Sequence, residues 1–531
     1  MNSPEIQAAV PPRTDIAPPA PWLLDLLAEV GPQVVITDPA ERAFHAQDVF
    51  SAGACPAAVL RPRDADELQR ALLRLHAARV AVVPRGGGLS YTEGFQPRSE
   101  HSVVLDLARL DRLVTLNLVD RYVVVEAGLT WAALDAALAP HGLRTPYWGP
   151  LSGLRSTVGG ALSQGSVFLG SGLHGAVGDS VLGLDVLTVD GRWLTTGAAA
   201  AGNTPPFMRW FGPDMTGLFI GDAGALGVKV RASLRLIARP AHLDFVSFEF
   251  DGASDMMAAM AEVSRQGLAA ECFGFDPVLV EQRLKRASLM SDAKTLLQVV
   301  RQSGLKAGSR LVAAGRDFIG SGKFSAHATI EADHPASLRA RVDAVTAIFG
   351  RQGRATDNSL PMALRAAPFV APNSMLGPAG ERWVPVHGVF AHSQALAGYQ
   401  ACLALFEERR GLLEEHAIRV GCLMTTVAAQ GTLVEPVFYW PDSHTPYHRR
   451  MVEPDYLRRV GEPAANPKTT ALVAQLKRDT ADAMRRAGAV HFQLGKFYRW
   501  REGRDPASLA LFDVLKQALD PNGLMNPGVL C

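Results

Sequence analysis

A short β-branched run that ends in three consecutive glycines constrains this chain more than any other feature: Ala81 to Phe95 reads AVVPRGGGLSYTEGF. Upstream, PAAVLRPRDADELQRALLRLHAAR reads as a strand and then a helix, capped at Asp64 or Asp66, whose apolar face carries Leu68, Leu72 and Leu75. The glycines therefore follow a buried strand. Glycine tolerates positive φ and lets main-chain N–H groups come close to a ligand, so several glycine turns can converge on a pyrophosphate without a phosphate-binding lysine. Taken alone, the three glycines are read more simply as a structural turn.

The rest of the chain supplies more such turns. Strand candidates SVVLDLARL and RYVVVEAGL precede TWAALDAALAPHG, a helix with Trp131, Leu134 and Leu138 at helical spacing that stops at Gly142. The passage from Pro146 to Gly183 is too rich in glycine and serine to be mostly regular structure. GLDVLTVDGRWLTTG reads as a hairpin turning at Asp190-Gly191, and FIGDAGALGVKVRASLRLI adds one more glycine turn before an alternating strand that ends ahead of Pro240. GDAGALG precedes a strand and lacks the helix of a Rossmann fingerprint, and no Walker pattern occurs, so a nicotinamide dehydrogenase is not favoured.

Past Ala241 the texture changes. Strand, helix, strand is the order in HLDFVSFEFDGASDMMAAMAEVSRQGLAAECFGFDP, and it recurs in GKFSAHATIEADHPASLRARVDAVTAIFGRQG. A second domain follows, an antiparallel sheet with helices on one face. The 531 residues exceed what one core usually organises. The expected fold class is α+β in two domains: a leader and helical segment over 1–50, a first domain over 51–240, a second over 241–500, and a C-terminal segment over 501–531 that returns to the first.

Charge and cysteine content narrow the setting. A formal net charge of +1 gives no electrostatic reason for a nucleic-acid partner. Five scattered cysteines show neither metal-finger spacing nor a disulfide framework, and a reducing compartment fits best. The Pro/Ala-rich N-terminus lacks a signal-peptide pattern and no run of about 18 apolar residues follows, so a cytoplasmic protein without a transmembrane segment is expected. Oligomeric state stays open, a homodimer included.

The order of the turns carries a resemblance. PAAVLRPRDADELQ, VVPRGGGLSYTEGF, VVVEAGLTWAALDAAL, STVGGALSQGS, HGAVGDSVLGLDVLTVDG and GDAGALGVKVRASLRL together resemble the FAD-binding domain of the vanillyl-alcohol oxidase and para-cresol methylhydroxylase family. The terminal LKQALDPNGLMNPGVL resembles that family's closing segment. The resemblance implies FAD, with contacts from Pro84, Arg85, Gly86, Gly87, Gly88, Leu89 and Ser90, from Ser156, Thr157, Gly159, Gly160 and Ser163, from Gly175, Gly178, Asp179 and Ser180, and from Gly224, Gly227, Val228 and Asn526. Asp106 and Glu126 are acceptors for ribose or adenine, or else surface and cap residues. Some relatives carry a flavin-attaching histidine after the glycines; Leu89 stands there, so non-covalent FAD is expected.

The second domain resembles the C-terminal domain of FAD-linked oxidases such as D-lactate dehydrogenases, glycolate oxidase and the alkyl-glycerone-phosphate synthases. By that resemblance VHFQLGKFYRW, read as a strand, offers His491 as the first choice for general base, with Lys496 beside it. An imidazole near its ordinary pKa of about 6.5 can take a hydroxyl proton as hydride leaves the carbon. His387 ranks next, with His392; Lys496 and Arg365 are candidates to bind a carboxylate, and Tyr439 to line the pocket. Metal-assisted relatives carry histidine and asparagine where this chain reads AAQGTLVEPVFYW, and an acidic ligand where it has Val490, so no metal is expected. Glu435 is the nearby carboxylate, open to a buried hydrogen-bonding role, and Phe438, Tyr439 and Trp440 suit an aromatic or long apolar substrate.

The expected function is oxidation of a hydroxylated small molecule by hydride transfer to FAD, with a 2-hydroxy acid as in D-lactate dehydrogenases first. An aromatic alcohol or phenol is the alternative, and flavin-dependent group transfer without net oxidation is a third. The electron acceptor (oxygen, a quinone or a cytochrome) is open.

Overall fold

The computed structural model describes residues 20–282 and 322–531. Residues 1–19 of the expected leader and helical segment lie outside the described residues. The first sheet runs β1 (Val35–Ile36), β2 (Ala58–Leu60), β4 (Ser102–Asp106) and β3 (Ala81–Arg85) in spatial order, with β2, β4 and β3 parallel. The helix Ala65–Ala77 makes the β2 to β3 crossover. Its N-cap is Asp64, whose side chain accepts from Glu67 N, and its face of Leu68, Leu72 and Leu75 is fully buried.

A second, antiparallel sheet orders β5 (Leu113–Asn117), β6 (Tyr122–Glu126), β10 (Val228–Arg235), β8 (Val181–Leu187) and β9 (Trp193–Thr195). The hairpin β8–β9 turns at Gly191, with φ 76°. Strand β5 is not anticipated from the sequence: its residues are only half-buried or exposed, so no clean alternation marks it. A small ribbon pairs β7 (Leu143–Arg144) with β11 (Ile237–Ala238). Within the glycine- and serine-rich passage, Thr157 caps the helix Val158–Gln164 by accepting from Gly160 N, and a short helix, Ser171–His174, follows.

The third sheet has eight antiparallel strands. In spatial order they are β15 (Arg354–Ala355), β12 (His242–Phe250), β14 (Phe324–Ala332), β13 (Glu271–Phe275), β18 (Arg419–Val427), β19 (Gly431–Trp440) and β16 (Arg382–Pro385), and β17 (Gly388–Ala391) also pairs with β19. One face packs against helices, as the recurrent strand, helix, strand pattern predicts. Cys272, Ala326, Ala328, Ile330, Met424, Val434, Phe438 and Trp440 share a core with Met256, Met260 and Val263 of the helix Ala253–Arg265, Val345 and Phe349 of Pro335–Phe349, and Tyr399 and Cys402 of His392–Glu408. Strand period 2 then commits the alternate residues to the opposite face.

The chain end returns to the first sheet, where Met525 bridges to Val82 and Asn526 N donates to Val82 O at 2.8 Å. VHFQLGKFYRW is not a strand: Val490 bridges to Val389, and residues 491–500 run on as a loop. The glycine and tandem aromatics there turn the backbone instead of extending it, with Gly495 at φ 56°. Among the described residues, no helix is long and apolar enough to cross a membrane.

Candidate functional site

Among the described residues, a cavity of about 1390 Å³ lies between the glycine loops and the face of the eight-stranded sheet opposite its helices. That is larger than the roughly 300–1,000 Å³ of a drug-sized pocket and leaves room for a dinucleotide beside a second molecule. The first wall is the loop from Pro84 to Ser90. The N–H groups of Gly86 through Ser90 donate to no acceptor among the described residues. Gly88 sits at φ +72°, and a Cβ on Gly87 would meet the Arg155 carbonyl oxygen at 2.0 Å, so the two loops can approach only without a side chain there.

Arg85 props this loop. Its guanidinium donates to His45 O (3.1 Å) and Gln47 O (3.0 Å) and lies between the Phe44 and Phe95 rings, 5.0 and 4.6 Å from their centroids. The second loop brings Ser156, Thr157, Gly159, Gly160 and Ser163 to the wall, and Gly159 N is tied to Ala127 O at 2.8 Å. The third brings Gly224 and Gly227, shaped by Asp222, which accepts from Gly224 N (3.0 Å) and Leu226 N (3.3 Å) and pairs with Lys229 at 2.5 Å. The lysine is thereby neutralised, and exposed N–H groups dominate what the loops offer an anion.

Other residues expected at the cofactor lie elsewhere. Gly175, Gly178, Asp179, Ser180 and Val228 do not line the cavity. Asp179 accepts from Ala176 N (2.8 Å), the Gly178 carbonyl accepts from Arg209 (2.6 Å), and Ser180 Oγ accepts from Tyr147 N (3.1 Å), so this segment's polar groups serve the turn into β8. Val228 is a buried β10 residue in the core beneath the first sheet. Asn526 acts from behind the wall: its Nδ2 donates to Gly94 O (2.7 Å) and Ala223 O (2.6 Å), and its Oδ1 accepts from Lys496 Nζ (2.7 Å). Lys496 also donates to Gln96 O (2.7 Å), and burial pulls its pKa down to about 7. It braces the cradle and does not face the cavity. Asp106 is likewise engaged by Arg61 (2.7 Å), and Glu126 by Arg112 (2.7 Å).

The facing wall comes from the sheet. Phe273 and Phe275 on β13, Leu423 on β18, Leu433, Glu435, Val437 and Tyr439 on β19, and Trp383 on β16 line it. Tyr439 lines this wall, whereas Phe438 and Trp440 face the helices. Tyr91 closes one side; its Oη accepts from Gln493 Nε2 at 3.3 Å and its ring meets Trp383 edge-on at 5.7 Å. Tyr91, Gln164, Gln493 and the two phenylalanines were not singled out from the sequence, although the alternation in ECFGF carries a signal for Phe273 and Phe275.

The remaining candidates lie behind this wall. His491 does not line the cavity: its Nδ1 donates to the His387 carbonyl at 2.8 Å and its ring stacks on Tyr498 at 4.1 Å, while Phe492 and Gln493 face inward. His387 is fully buried and stacked on Phe492 at 4.0 Å, and burial holds its pKa well below the usual imidazole range. His392 bonds Thr432 Oγ1 (2.8 Å) at the far end of β19. Arg365 donates to Glu271 at 3.3 Å and to Glu331, over the Trp148 ring at 4.6 Å; its neighbour Leu364 faces the cavity. Among the described residues, no cluster of three or more His, Cys, Asp or Glu is placed to hold a metal ion.

With this geometry, the comparisons with known proteins are specific. The family model described as an FAD binding domain matches residues 56–197, and that of the FAD-linked oxidases' C-terminal domain matches 498–530. The chain is 28% identical over 215 residues to the glycolate oxidase subunit GlcD of Escherichia coli (strain K12), covering 40% of this chain and 41% of that protein. It is 31% identical over 212 residues to the mitochondrial D-lactate dehydrogenase [cytochrome] of Arabidopsis thaliana, covering 39% and 35%. These alignments span about two fifths of each relative or less.

The fold likeness runs further. Solved p-cresol methylhydroxylase with substrate bound superposes with a TM-score of 0.71 at 14% identity, covering 96% of each chain. An alkyldihydroxyacetonephosphate synthase superposes with a TM-score of 0.68 at 15% identity, covering 95% of this chain and 84% of that one. The residues present fit FAD: a cradle of undonated N–H groups, a glycine that no side chain could replace, and space for a dinucleotide. The chain thus carries an FAD-binding domain over 56–197 and a C-terminal segment similar to that of FAD-linked oxidases over 498–530, in the two-domain α+β fold of p-cresol methylhydroxylase.

Proposed function

We propose that the protein is an FAD-dependent oxidoreductase that oxidises the hydroxyl-bearing carbon of a small molecule whose body is aromatic or otherwise apolar. One observation carries the reading: a single cavity sets the glycine cradle opposite a sheet face of Phe273, Phe275, Leu423, Leu433, Val437, Tyr439 and Trp383. FAD, when bound, supplies a ring that takes two electrons and a hydrogen from carbon. The free main-chain N–H groups of Gly86 to Ser90 would hold its phosphates, with the Ser156 to Gly160 loop packed against them. The apolar wall excludes water and orients an aromatic body by edge and face contacts. Tyr91, fixed by Gln493, offers a neutral hydroxyl beside that wall.

A 2-hydroxy acid is the second reading. Its similarity to a glycolate oxidase subunit and a D-lactate dehydrogenase favours it, and Arg459 lines the cavity over the Tyr456 ring at 5.2 Å. Arg459 is exposed at the rim, however, and Arg365 and Lys496 are spent on internal partners. FAD is held without a covalent bond at Leu89, and the electron acceptor is oxygen, a quinone or a cytochrome.

The test is anaerobic reduction of the FAD-loaded protein by 4-hydroxybenzyl alcohol, D-lactate and D-mandelate, followed by bleaching of the visible flavin band. The expected outcome is an apparent second-order rate constant about 10²-fold higher for 4-hydroxybenzyl alcohol than for D-lactate, the discrimination an apolar pocket can supply. Faster reduction by D-lactate selects the 2-hydroxy-acid reading. A flavin that none of the three reduces points to group transfer without net oxidation.

A further inference from the structure

We infer that Tyr447, which lies outside the glycine loops and beyond β19 in the chain, completes the cofactor cradle by fixing the Gly88–Leu89 peptide. The inference rests on the FAD reading of the cavity and not on the choice of substrate. Tyr447 belongs to the helix Pro446–Met451, and its side chain is fully buried. Its hydroxyl donates to the Gly88 carbonyl. Gly88, at φ +72° and without a Cβ, does little by itself to fix the peptide that follows it. A partner from elsewhere in the chain supplies the constraint.

A trans peptide places its C=O and N–H on opposite sides, and the described residues contain no cis peptide. Holding the Gly88 carbonyl at Tyr447 therefore turns the Leu89 N–H away from that helix. This N–H is one of those that donate to no acceptor among the described residues, and Gly88 and Leu89 both line the cavity. Tyr447 itself does not line it. It is a positioning residue, acting on a bound diphosphate through the Leu89 N–H.

The helix is fastened where that hydroxyl needs it. Thr445 caps it by accepting from His448 N, and Pro446 stands in its first turn. Tyr447 stacks on Phe44, with ring centroids 5.7 Å apart and planes 14° from parallel. Arg450 lies 4.1 Å from the centroid of the same ring and pairs with Glu41 at 2.5 Å. Arg85, which props the glycine loop, lies 5.0 Å from that centroid. At the end of the helix Met451 Sδ accepts from Arg155 Nη1 at 3.9 Å, and the Arg155 carbonyl is the atom that a Cβ on Gly87 would strike. One short helix thus touches both loops. Burial pushes the Tyr447 hydroxyl above the usual phenol range, so it stays a neutral donor. Linkage is reciprocal: a helix that strengthens FAD binding is itself steadied by FAD.

The test is Tyr447→Phe, which keeps the ring on Phe44 and removes only the hydroxyl. Titration of the apoprotein with FAD should show an affinity about 10-fold weaker, the loss expected for one neutral hydrogen bond. The phosphorus NMR resonances of the bound FAD diphosphate should move as well, a change that a general loss of stability does not cause. Thr216→Val is the control. It deletes a fully buried hydroxyl that donates to Thr196 Oγ1 (2.8 Å), neither residue lines the cavity, and it should cost stability while FAD affinity holds. Wild type gives a further reading without any variant: FAD should slow amide hydrogen exchange over Tyr447 to Met451. Wild-type FAD affinity in Tyr447→Phe, unmoved phosphorus resonances, a loss that Thr216→Val shares, or exchange in this helix that FAD leaves unchanged would each overturn the role of Tyr447 alone. A wild type that binds no FAD removes the cofactor reading and this inference together.

Discussion

Gly87→Val should give a folded protein that no longer retains FAD. A Cβ at this position would lie 2.0 Å from the Arg155 carbonyl oxygen, 2.8 Å from its carbon and 3.2 Å from Ser156 Cα. All of these are main-chain atoms, so no rotamer change relieves the clash; the Gly86 to Ser90 loop and the Ser156 to Gly160 loop must move apart. The N–H groups of Gly86 to Ser90 then lose the position in which they converge on a diphosphate. A hydrogen bond to a charged group contributes about 1.5–3 kcal/mol, so losing two weakens binding by roughly 10²-fold or more. Gly142→Ala is the matched control: it also has positive φ, at +64°, but meets nothing within 4 Å and lies outside the cavity. Titration of each apoprotein with FAD, with far-ultraviolet circular dichroism to check folding, measures the difference. Wild-type affinity in Gly87→Val would place the cofactor elsewhere.

Arg365→Met should lower stability by about 3–5 kcal/mol, the cost of leaving buried charge uncompensated. Glu271 and Glu331 reach its guanidinium from the neighbouring strands β13 and β14, and among the described residues Glu271 otherwise accepts from Gly170 N (2.7 Å). Arg144 also donates to Glu331, at 2.5 Å, so the carboxylate left most exposed to the loss is Glu271. The double variant Arg365→Met/Glu271→Gln should therefore recover a large part of the stability. Chemical denaturation of the FAD-loaded proteins checks both. A substrate-binding arginine behaves differently: stability would hold and the concentration of substrate needed for half-maximal reduction would rise.

Much of the scaffold is legible in the sequence because local chemistry dictates it. Asp64 caps its helix, Gly142 and Gly191 turn where left-handed backbone is needed, and Gly86 to Gly88 follow a buried strand whose N–H supply has nowhere else to go. The recurrence of strand, helix, strand after Ala241 is enough to place helices on one face of the second sheet. The catalytic side is less legible, since which of two adjacent side chains meets the cavity depends on register and loop path. Leu364 faces inward and Arg365 does not; Phe492 does and His491 does not. A chemically attractive residue in a matching segment gives no sign of that one-residue difference. Glu435 is legible in the sequence only as a nearby carboxylate; that its side chain lines the cavity comes from the register of β19 against β18.

The same register argument explains why the Gly175 to Ser180 turn was expected at the cofactor. Its composition matches the other glycine loops, yet Asp179 and Ser180 spend their polar atoms on local N–H groups. Composition identifies a turn, and only the partners of its N–H groups show whether it serves itself or a ligand.

The most direct measurement is a titration of apoprotein with FAD followed by flavin absorbance and fluorescence. Saturation at one FAD per chain, with a perturbed visible spectrum and release of free FAD on acid precipitation, is the predicted result. A protein that stays colourless and leaves the spectrum of added FAD unchanged would contradict the account at its root.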